Sequence, residues 1–445
     1  MTFEVARTAA KLGVAQFVAA ALLLAIGGRA FAGDRALLPG SAHDEPAKAG
    51  ETRSYRVRLG AGQAAELSLR QRDATALSLH WSAAGAQAVA LRTEAGREST
   101  LRATLVADGP ASWTVSVVPA RADVAFRYSI SLSAAHPATT ADRDRAAAAA
   151  SLVGAEALRA RGDKAVAGDA RKRYRDAIDA AARAGDGCAV RHAYVSWSGF
   201  EHEIVDAAAQ KTTAQAAIDA ACADGAADAA LALRLLGSAY INQGDFASGT
   251  RETERAVAAF KATGDDYQQG VALRNLGLAY AESGEVGKAL ATTQLALHAA
   301  EQTGDGKLLA LVRNDLAFMH NARGEFALAI DAYRKTLDTL AANPYPMAEA
   351  VAWINLGIAY GQLGDGEQAM DAYAKGETAA TAIDCWSCLA EIAVDRGDDL
   401  LDDDKPADAE ASYRHALEIA DAHALTRQRA EALRGLGRSA MVAQK

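Results

Sequence analysis

A short phrase recurs at a fixed spacing of 40 residues in the second half of this chain. In its clearest form it reads Leu-Gly-x-Ala-Tyr, and its second residue is called the anchor below. A glycine and then an acidic residue follow seven positions after the first four anchors. The anchors are Gly237, Gly277, Ala317, Gly357, Gly397 and Gly437. Unrelated helices do not keep register over such a length, so the period predicts a solenoid of similar stacked units.

Each unit has the composition and spacing of two antiparallel helices. Half of the residues are hydrophobic, with alanine the commonest, and only 8 are proline, which favours helix. A small anchor lets two helices approach closely, and the glycine seven positions later ends the first of them, helix A. Small residues such as Ala289 and Ala296 let the second, helix B, pack against it. One hairpin alone cannot bury its apolar face, so neighbouring hairpins must stack.

The Leu-Gly-x-x-Tyr phrase, the Gly-Asp turn and the Ala-x-x-x-Tyr-x-x-Ala pattern of helix B resemble the tetratricopeptide repeat (TPR) family, in a 40-residue form. The resemblance implies a right-handed superhelix of helix hairpins over residues 146–445, with six to seven repeats and a C-terminal helix. Arg396, Leu400 and Asp404 depart from the pattern, which predicts local distortion in that repeat.

The first 32 residues have the layout of a secretory signal peptide. Arg7 and Lys11 precede an uncharged apolar stretch at 14–26, and Ala30-Phe31-Ala32 forms a cleavage site before Gly33. A membrane span needs about 20 apolar residues, so this stretch is too short to be an anchor. The sequence predicts cleavage between Ala32 and Gly33, export to the periplasm or the medium, and no stable membrane insertion afterwards.

Residues 51–135 alternate between apolar and polar in seven short runs, which predicts a small antiparallel β-sandwich. Residues 33–50 and 136–145 are predicted to be linkers on either side of it. The fold class is therefore mainly α, a TPR α-solenoid preceded by a small β-domain.

In the TPR family, helix A lines the concave surface on which peptides or partner proteins lie. The resemblance therefore implies a binding stripe on successive A helices, where amide and arginine groups alternate with apolar side chains. The stripe comprises Arg234, Ser238, Asn242, Arg274, Asn275, Leu278, Glu282, Asn314, Phe318, Asn321, Ile354, Asn355, Ile358 and Gln362. Any single member could instead be solvated or bonded to nearby backbone, but the stripe as a whole predicts a binding surface.

The four cysteines are interpreted as structural, and an oxidising compartment would let them pair. Cys188 begins one helix A and Cys222 ends helix B of the same repeat, so a Cys188–Cys222 disulfide is predicted. Cys385 and Cys388 match a redox C-x-x-C spacing, but the βαβ context of such a motif is missing. They are interpreted as structural thiols or a disulfide.

No motif for catalysis, metal or cofactor binding emerges. Glu201-His202-Glu203 lacks the second histidine of a zinc helix, and the acidic run at 398–404 lacks the glycine and closing glutamate of a calcium loop. With 47 basic and 56 acidic residues the net charge is −9, and no basic run offers a nucleic-acid surface. The sequence therefore predicts no enzyme, no metal, no cofactor and no nucleic-acid partner.

The order of signal peptide, β-domain and 40-residue repeats resembles the N-terminal part of bacterial TPR–CHAT proteins. That family places a caspase-like peptidase with a catalytic His and Cys after the repeats, and no cysteine follows Cys388 here. Two functions stay open: an exported, non-enzymatic scaffold that docks a protein or peptide in the TPR groove, or a truncated or split sensor or regulatory part of a CHAT-type peptidase system. The sequence identifies neither the partner nor the oligomeric state.

Overall fold

The computed structural model describes residues 35–72, 76–83, 89–92, 100–120, 125–161, 164–223 and 225–442. The predicted signal peptide, with its cleavage site at Ala32 and Gly33, lies outside the described residues. The chain divides into two compact units, whose described parts are residues 35–279 and 280–442.

The first unit begins with a β-sandwich whose strands belong to two sheets. The strands are β1 (Arg35–Ala36), β2 (Ala42–Ala47), β3 (Arg53–Leu59), β4 (Gln63–Gln71), β5 (Leu77–Ala83), β6 (Val89–Arg92), β7 (Thr100–Ala107), β8 (Ala111–Pro119), β9 (Phe126–Leu132) and β10 (His136–Pro137). One sheet has the order β1-β3-β8-β5-β6; in the other β9 lies between β4 and β2, and β4 also pairs with β7 and β10. All pairs are antiparallel except β1 with β3.

Alternation with period two sends every second side chain of these strands into one core. Tyr55 and Val57 of β3 face Tyr128 and Ile130 of β9 in that core, and all four are fully buried. The Tyr55 and Tyr128 hydroxyls share a hydrogen bond of 2.6 Å between the sheets. The predicted β-sandwich is confirmed, and its seven predicted strands correspond to β3 through β9.

Both predicted linkers are wrong. Within 33–50, the segment Ala42–Ala47 is strand β2, which pairs with β9 along its whole length. Its two acidic residues and Pro46 are unusual in a strand, but an edge strand tolerates them because one side needs no partner. Within 136–145, His136–Pro137 pairs with β4, and a helix begins at Thr140 behind a capping box of Thr139 and Asp142.

Helices follow in hairpins through the rest of both units. Those of the first unit are α1 (Thr140–Arg159), α2 (Ala167–Arg183), α3 (Gly187–Glu203), α4 (Ala207–Asp219), α5 (Ala226–Asn242), α6 (Phe246–Thr263) and α7 (Asp266–Glu282), whose last turn belongs to the second unit. Those of the second unit are α8 (Val286–Thr303), α9 (Gly306–Ala322), α10 (Phe326–Ala342), α11 (Pro346–Leu363), α12 (Gly366–Thr381), α13 (Trp386–Asp402), α14 (Pro406–Ala422) and α15 (Thr426–Val442).

The anchors Gly237 and Gly357 do what their spacing predicts: they let helix B touch the backbone of helix A. A β-carbon on Gly237 would lie 2.3 Å from Thr253, and one on Gly357 would lie 2.5 Å from the Tyr373 ring. The turn glycine Gly364 adopts φ +84°, a conformation that favours glycine, and Asp365 then caps α12. The mainly α fold of helix hairpins behind a small β-domain is confirmed.

The repeat anchored at Gly397 keeps its hairpin despite its unusual residues. Helices α13 and α14 are continuous, and Asp404 takes φ +59° where the other repeats place glycine. Pro406 then opens α14 at a position where its missing N–H costs nothing. In the parts of the chain that the structure describes, no helix is long and apolar enough to span a membrane.

Candidate functional site: the helix A surface

Three members of the predicted binding stripe are buried and cannot contact a partner directly. Ile354 is 1 % exposed and packs in the core of the second unit, and Asn355 is 5 % exposed. Ser238 is also buried, and its hydroxyl lies 3.4 Å from His202 Nδ1. The prediction fails for these three because successive hairpins cover that side of the helix when they stack.

The other members of the stripe keep some exposure. Glu282 and Gln362 are exposed, and the rest are half-buried. The half-buried members are Arg234, Asn242, Arg274, Asn275, Leu278, Asn314, Phe318, Asn321 and Ile358.

In the second unit these side chains lie on two neighbouring A helices. Asn314, Phe318 and Asn321 share one face of α9, since they are spaced by four and three residues. On α11, Ile358 holds the place equivalent to Phe318, and Gln362 lies one turn after it. These five residues are called the helix A surface below. The side-chain amide of Asn355 on α11 donates to Asn314 Oδ1 at 3.4 Å and so links the two helices.

The Asn321 side chain carries an oxygen atom that makes no hydrogen bond within the described fold. Its Oδ1 atom is buried and has no hydrogen-bond partner within the described parts of the chain. Buried polar atoms are nearly always paired, so an unpaired one requires an explanation. Phe318, one turn away on the same face, is half-buried and apolar. The helix A surface thus combines an unpaired, buried acceptor with a half-buried apolar side chain, and the Asn321 amide must turn outward for a ligand to reach its oxygen.

In the first unit the corresponding region is committed to structural ion pairs. Glu201, from the motif rejected above as a zinc site, accepts from Arg171 at 2.6 Å and from the Trp197 indole at 2.6 Å. Glu203 pairs with Arg159 at 2.6 Å. Burial, together with the Arg234 guanidinium, lowers the pKa of His202 to about 4, so this histidine is neutral at physiological pH.

All four cysteines are disulfide-bonded. Cys188 at the start of α3 is joined to Cys222 after α4, with an S–S distance of 1.99 Å, and Cys385 is joined to Cys388. The nearby Arg191, which no motif singled out, donates to the carbonyls of Ala217 and Gly225. It also donates to the carbonyls of Ala220 and Cys222. This buried guanidinium and the disulfide together hold the segment between α4 and α5.

The acidic run at 398–404 ends in three exposed residues, Asp402 to Asp404, but two acidic residues earlier in α13, Glu391 and Asp395, are buried. Asp395 is buried, and its Oδ2 has no hydrogen-bond partner among the described residues. Burial raises the pKa of Asp395 well above its usual range, and neighbouring carboxylates raise it further. Burial also raises the pKa of Glu391 to about 7 and that of Asp399 to about 6. No group of three or more His, Cys, Asp or Glu in the described parts could hold a metal ion.

Comparisons with known proteins agree with the repeated hairpins. The sequence profile of the tetratricopeptide repeat matches residues 350–380, which cover most of α11 and α12. Aspartyl phosphate phosphatase F from Bacillus subtilis is similar in structure, with 11 % identity and a TM-score of 0.51, over 63 % of this chain and 72 % of that one.

A second structure extends the comparison. A signal transduction ATPase of the STAND class with a tetratricopeptide repeat sensor, from Pyrococcus horikoshii, has 15 % identity and a TM-score of 0.51. The match covers 68 % of this chain but 46 % of the ATPase, so the chain spans less than half the length of that protein. Such identities establish the fold alone. No curated protein matches the sequence significantly.

The resemblance to TPR–CHAT proteins is untested by these comparisons and stays a prediction. The repeat period, the family profile over residues 350–380 and the shared fold agree with one another: this chain contains a tetratricopeptide repeat and has the fold of helix hairpins seen in tetratricopeptide repeat proteins.

Proposed function

We propose that this chain is an exported binding protein, without catalytic activity of its own, that docks an extended peptide segment of a partner on its helix A surface. The unpaired Asn321 Oδ1 beside Phe318 carries the proposal. An extended peptide presents backbone N–H donors between its side chains, and such a donor would complete the hydrogen bonding of this oxygen.

Apolar side chains of the same peptide would contact Phe318 and Ile358. Both are half-buried, which leaves each a solvent-facing edge that a ligand can cover. Burial of apolar area is the main source of affinity in such contacts, and the asparagine bond would fix the peptide's register. The repeats of the similar STAND ATPase are described as a sensor, which is consistent with a recognition role for this fold.

The docking surface is tested with peptides selected from a random library on the mature chain, starting at Gly33. The double variant Phe318→Ala with Asn321→Ala should bind the selected peptides about tenfold more weakly or worse, because it removes one apolar contact and one acceptor. Fluorescence anisotropy of labelled peptides measures the dissociation constant. The matched control is Leu328→Ala, which shortens an exposed apolar residue on helix B α10 and should leave binding unchanged.

Equal affinity of the wild type and the double variant would place the peptide site elsewhere and reject this proposal. Circular dichroism of the double variant must first show native helix content, so that a loss of binding reports on the surface alone.

Export is tested independently of binding. Residues 1–40, fused to a reporter enzyme that is active only outside the cytoplasm, should give reporter activity, and mass spectrometry should find a new N-terminus at Gly33. Changing Ala32→Arg should abolish the cleavage, because the site requires small residues. An inactive reporter would reject export by this segment.

A further inference from the structure

The first unit contains a cavity between its β-domain and its first helices. The volume is about 510 Å³, within the range of small-molecule sites. Strands β4 and β7 form one wall, called the β wall, and helices α1, α3 and the start of α5 form the other, called the helical wall. Boundaries between a sheet domain and a helical domain are common places for ligand sites.

The interior of the cavity is apolar and made of small groups. Leu152 of α1 lines it with a buried side chain. Ala149 of α1, Ala189 of α3 and the Cys188–Cys222 disulfide complete this surface. The alanines leave room for a guest that a larger residue would fill.

The charged groups around the interior differ between the two walls. The β wall carries Arg70, Arg102 and Glu66, with one more cation than anion. The helical wall carries Asp186, Asp228 and Arg145, with one more anion than cation, and also His192. The cavity is therefore dipolar, cationic on one side and anionic on the other.

Arg102 and Asp228, the two charges that a ligand would contact, keep access to solvent, so a ligand can compete for them. Arg102 and Glu66 lie 3.9 Å apart, and each side chain is 44 % exposed. Asp228 contacts the His192 ring at 3.2 Å and retains solvent access. Exposed ion pairs contribute little stability, so exchanging one for a ligand contact costs little.

A disulfide and several hydrogen bonds restrain the helical wall. The segment that carries Cys222 and leads to Asp228 is fixed by the disulfide to Cys188 and by Arg191, which donates to the Ala217, Ala220, Cys222 and Gly225 carbonyls. A preformed wall reduces the ordering cost of binding.

We propose that this cavity binds a short peptide with both ends free and an apolar side chain. The peptide carboxylate would pair with Arg102, its ammonium group would pair with Asp228, and its apolar side chain would lie against Leu152, Ala149 and Ala189. A ligand with only one charge would pair with only one of these two residues. This site is separate from the helix A surface and does not depend on the proposed function.

The test is isothermal titration of the mature chain with alanyl-leucine, leucyl-leucine, N-acetyl-alanyl-leucine and alanyl-leucinamide. The two free dipeptides should bind, and each blocked form should bind about tenfold more weakly, because each lacks one charge-assisted hydrogen bond. Equal binding of free and blocked peptides would overturn the proposal. Failure of both free dipeptides to bind at about 10 mM, well above millimolar dissociation constants, would overturn it too.

Variants assign the two ends of the ligand. Arg102→Gln should abolish the preference for alanyl-leucine over its amide, and Asp228→Asn should abolish the preference over the acetylated form. The matched control is Arg143→Gln. Arg143 lies on α1 outside the cavity lining and pairs with Asp108 at a distance of 3.5 Å. This variant should keep both preferences. The Phe318→Ala variant should also bind like wild type. If both preferences survive in both cavity variants, the dipeptides bind elsewhere and the proposal is wrong.

Discussion

Replacing Gly357 by valine should lower the free energy of unfolding by about 4 kcal/mol, at the upper end of single-residue effects. The expected β-carbon would lie 2.5 Å from the ring of Tyr373, which is fully buried. The ring cannot swing aside, because its hydroxyl donates to Asp399 at 2.9 Å and the core surrounds it. Relief therefore requires helices α11 and α12 to separate. Urea unfolding followed by circular dichroism measures the change.

The control for this substitution is the same change at the last anchor, Gly437→Val. A β-carbon there would meet no heavy atom within 4 Å among the described residues. The expected change is within about 0.5 kcal/mol, because valine and glycine differ modestly in helix propensity. A loss of equal size at both anchors would show that the glycines matter for backbone conformation and not for helix approach.

The second unit should lose stability as pH rises from 5 to 8, by about 3 kcal/mol from Glu391 alone. Burial raises the pKa of Glu391 to about 7 and that of Asp399 to about 6, while both are lower in the unfolded chain. The folded state therefore holds protons that the unfolded state has released. A group of this kind stabilises the fold fully at pH values below its unfolded pKa, and that contribution is lost as pH rises through the folded pKa.

The charged and titratable groups around this cluster come from three neighbouring helices. They are Tyr373 on α12, Tyr413 on α14 and Arg427, Glu431 and Arg438 on α15, beside Glu391, Asp395, Asp398 and Asp399 on α13 itself. Arg427 pairs with Glu391 at 3.2 Å and Arg438 with Asp398 at 2.9 Å, so neither arginine is bonded to Asp395. Burial thus outweighs the available positive charge.

Urea unfolding at pH 5.5 and pH 8 tests this prediction with two variants and a control. Glu391→Gln should reduce the pH dependence of the free energy of unfolding. Asp395→Asn should unfold at higher urea than wild type at pH 8. Each variant removes a carboxyl group that is costly to bury in its charged form. Asp371→Asn alters an exposed pair with Lys375 and should keep the wild-type dependence. A wild-type stability that does not change between the two pH values would contradict the burial argument.

Much of the helical architecture could be predicted because the same helix-packing pattern occurs several times in the sequence. The anchor at Gly357 and the tyrosine at Tyr373 are both visible in the sequence, and their spacing fixes which side of helix A receives helix B. The binding stripe was harder to predict, since it depends on which side the next hairpin covers. Ile354 and Asn355 were assigned to the surface for this reason, although stacking buries them.

Features that depend on contacts between distant segments could not be predicted. Strand β2 carries two acidic residues and a proline, and its partner β9 lies at the other end of the domain, so no local pattern identifies it. The burial of Glu391 and Asp395 in α13 could not be read from the sequence, because acidic residues usually are exposed. Likewise, the cavity is formed by β4, β7, α1, α3 and α5 together, so no single segment of the sequence indicates it.

The pairing of β2 with β9 also sets an order of events when the chain folds from its N-terminus. A helix hairpin such as α11–α12 can close as soon as its own residues are available, because its contacts are local. The β-domain emerges first but must wait for β9, its last long strand, before β2 has a partner. Until β9 is available, β2 and the edge of β4 that will pair with β9 have no strand partner. Such exposed strand edges can pair with other chains and cause aggregation. The slow, aggregation-sensitive stage of folding thus belongs to the small domain, whose strand pairs join distant parts of the chain.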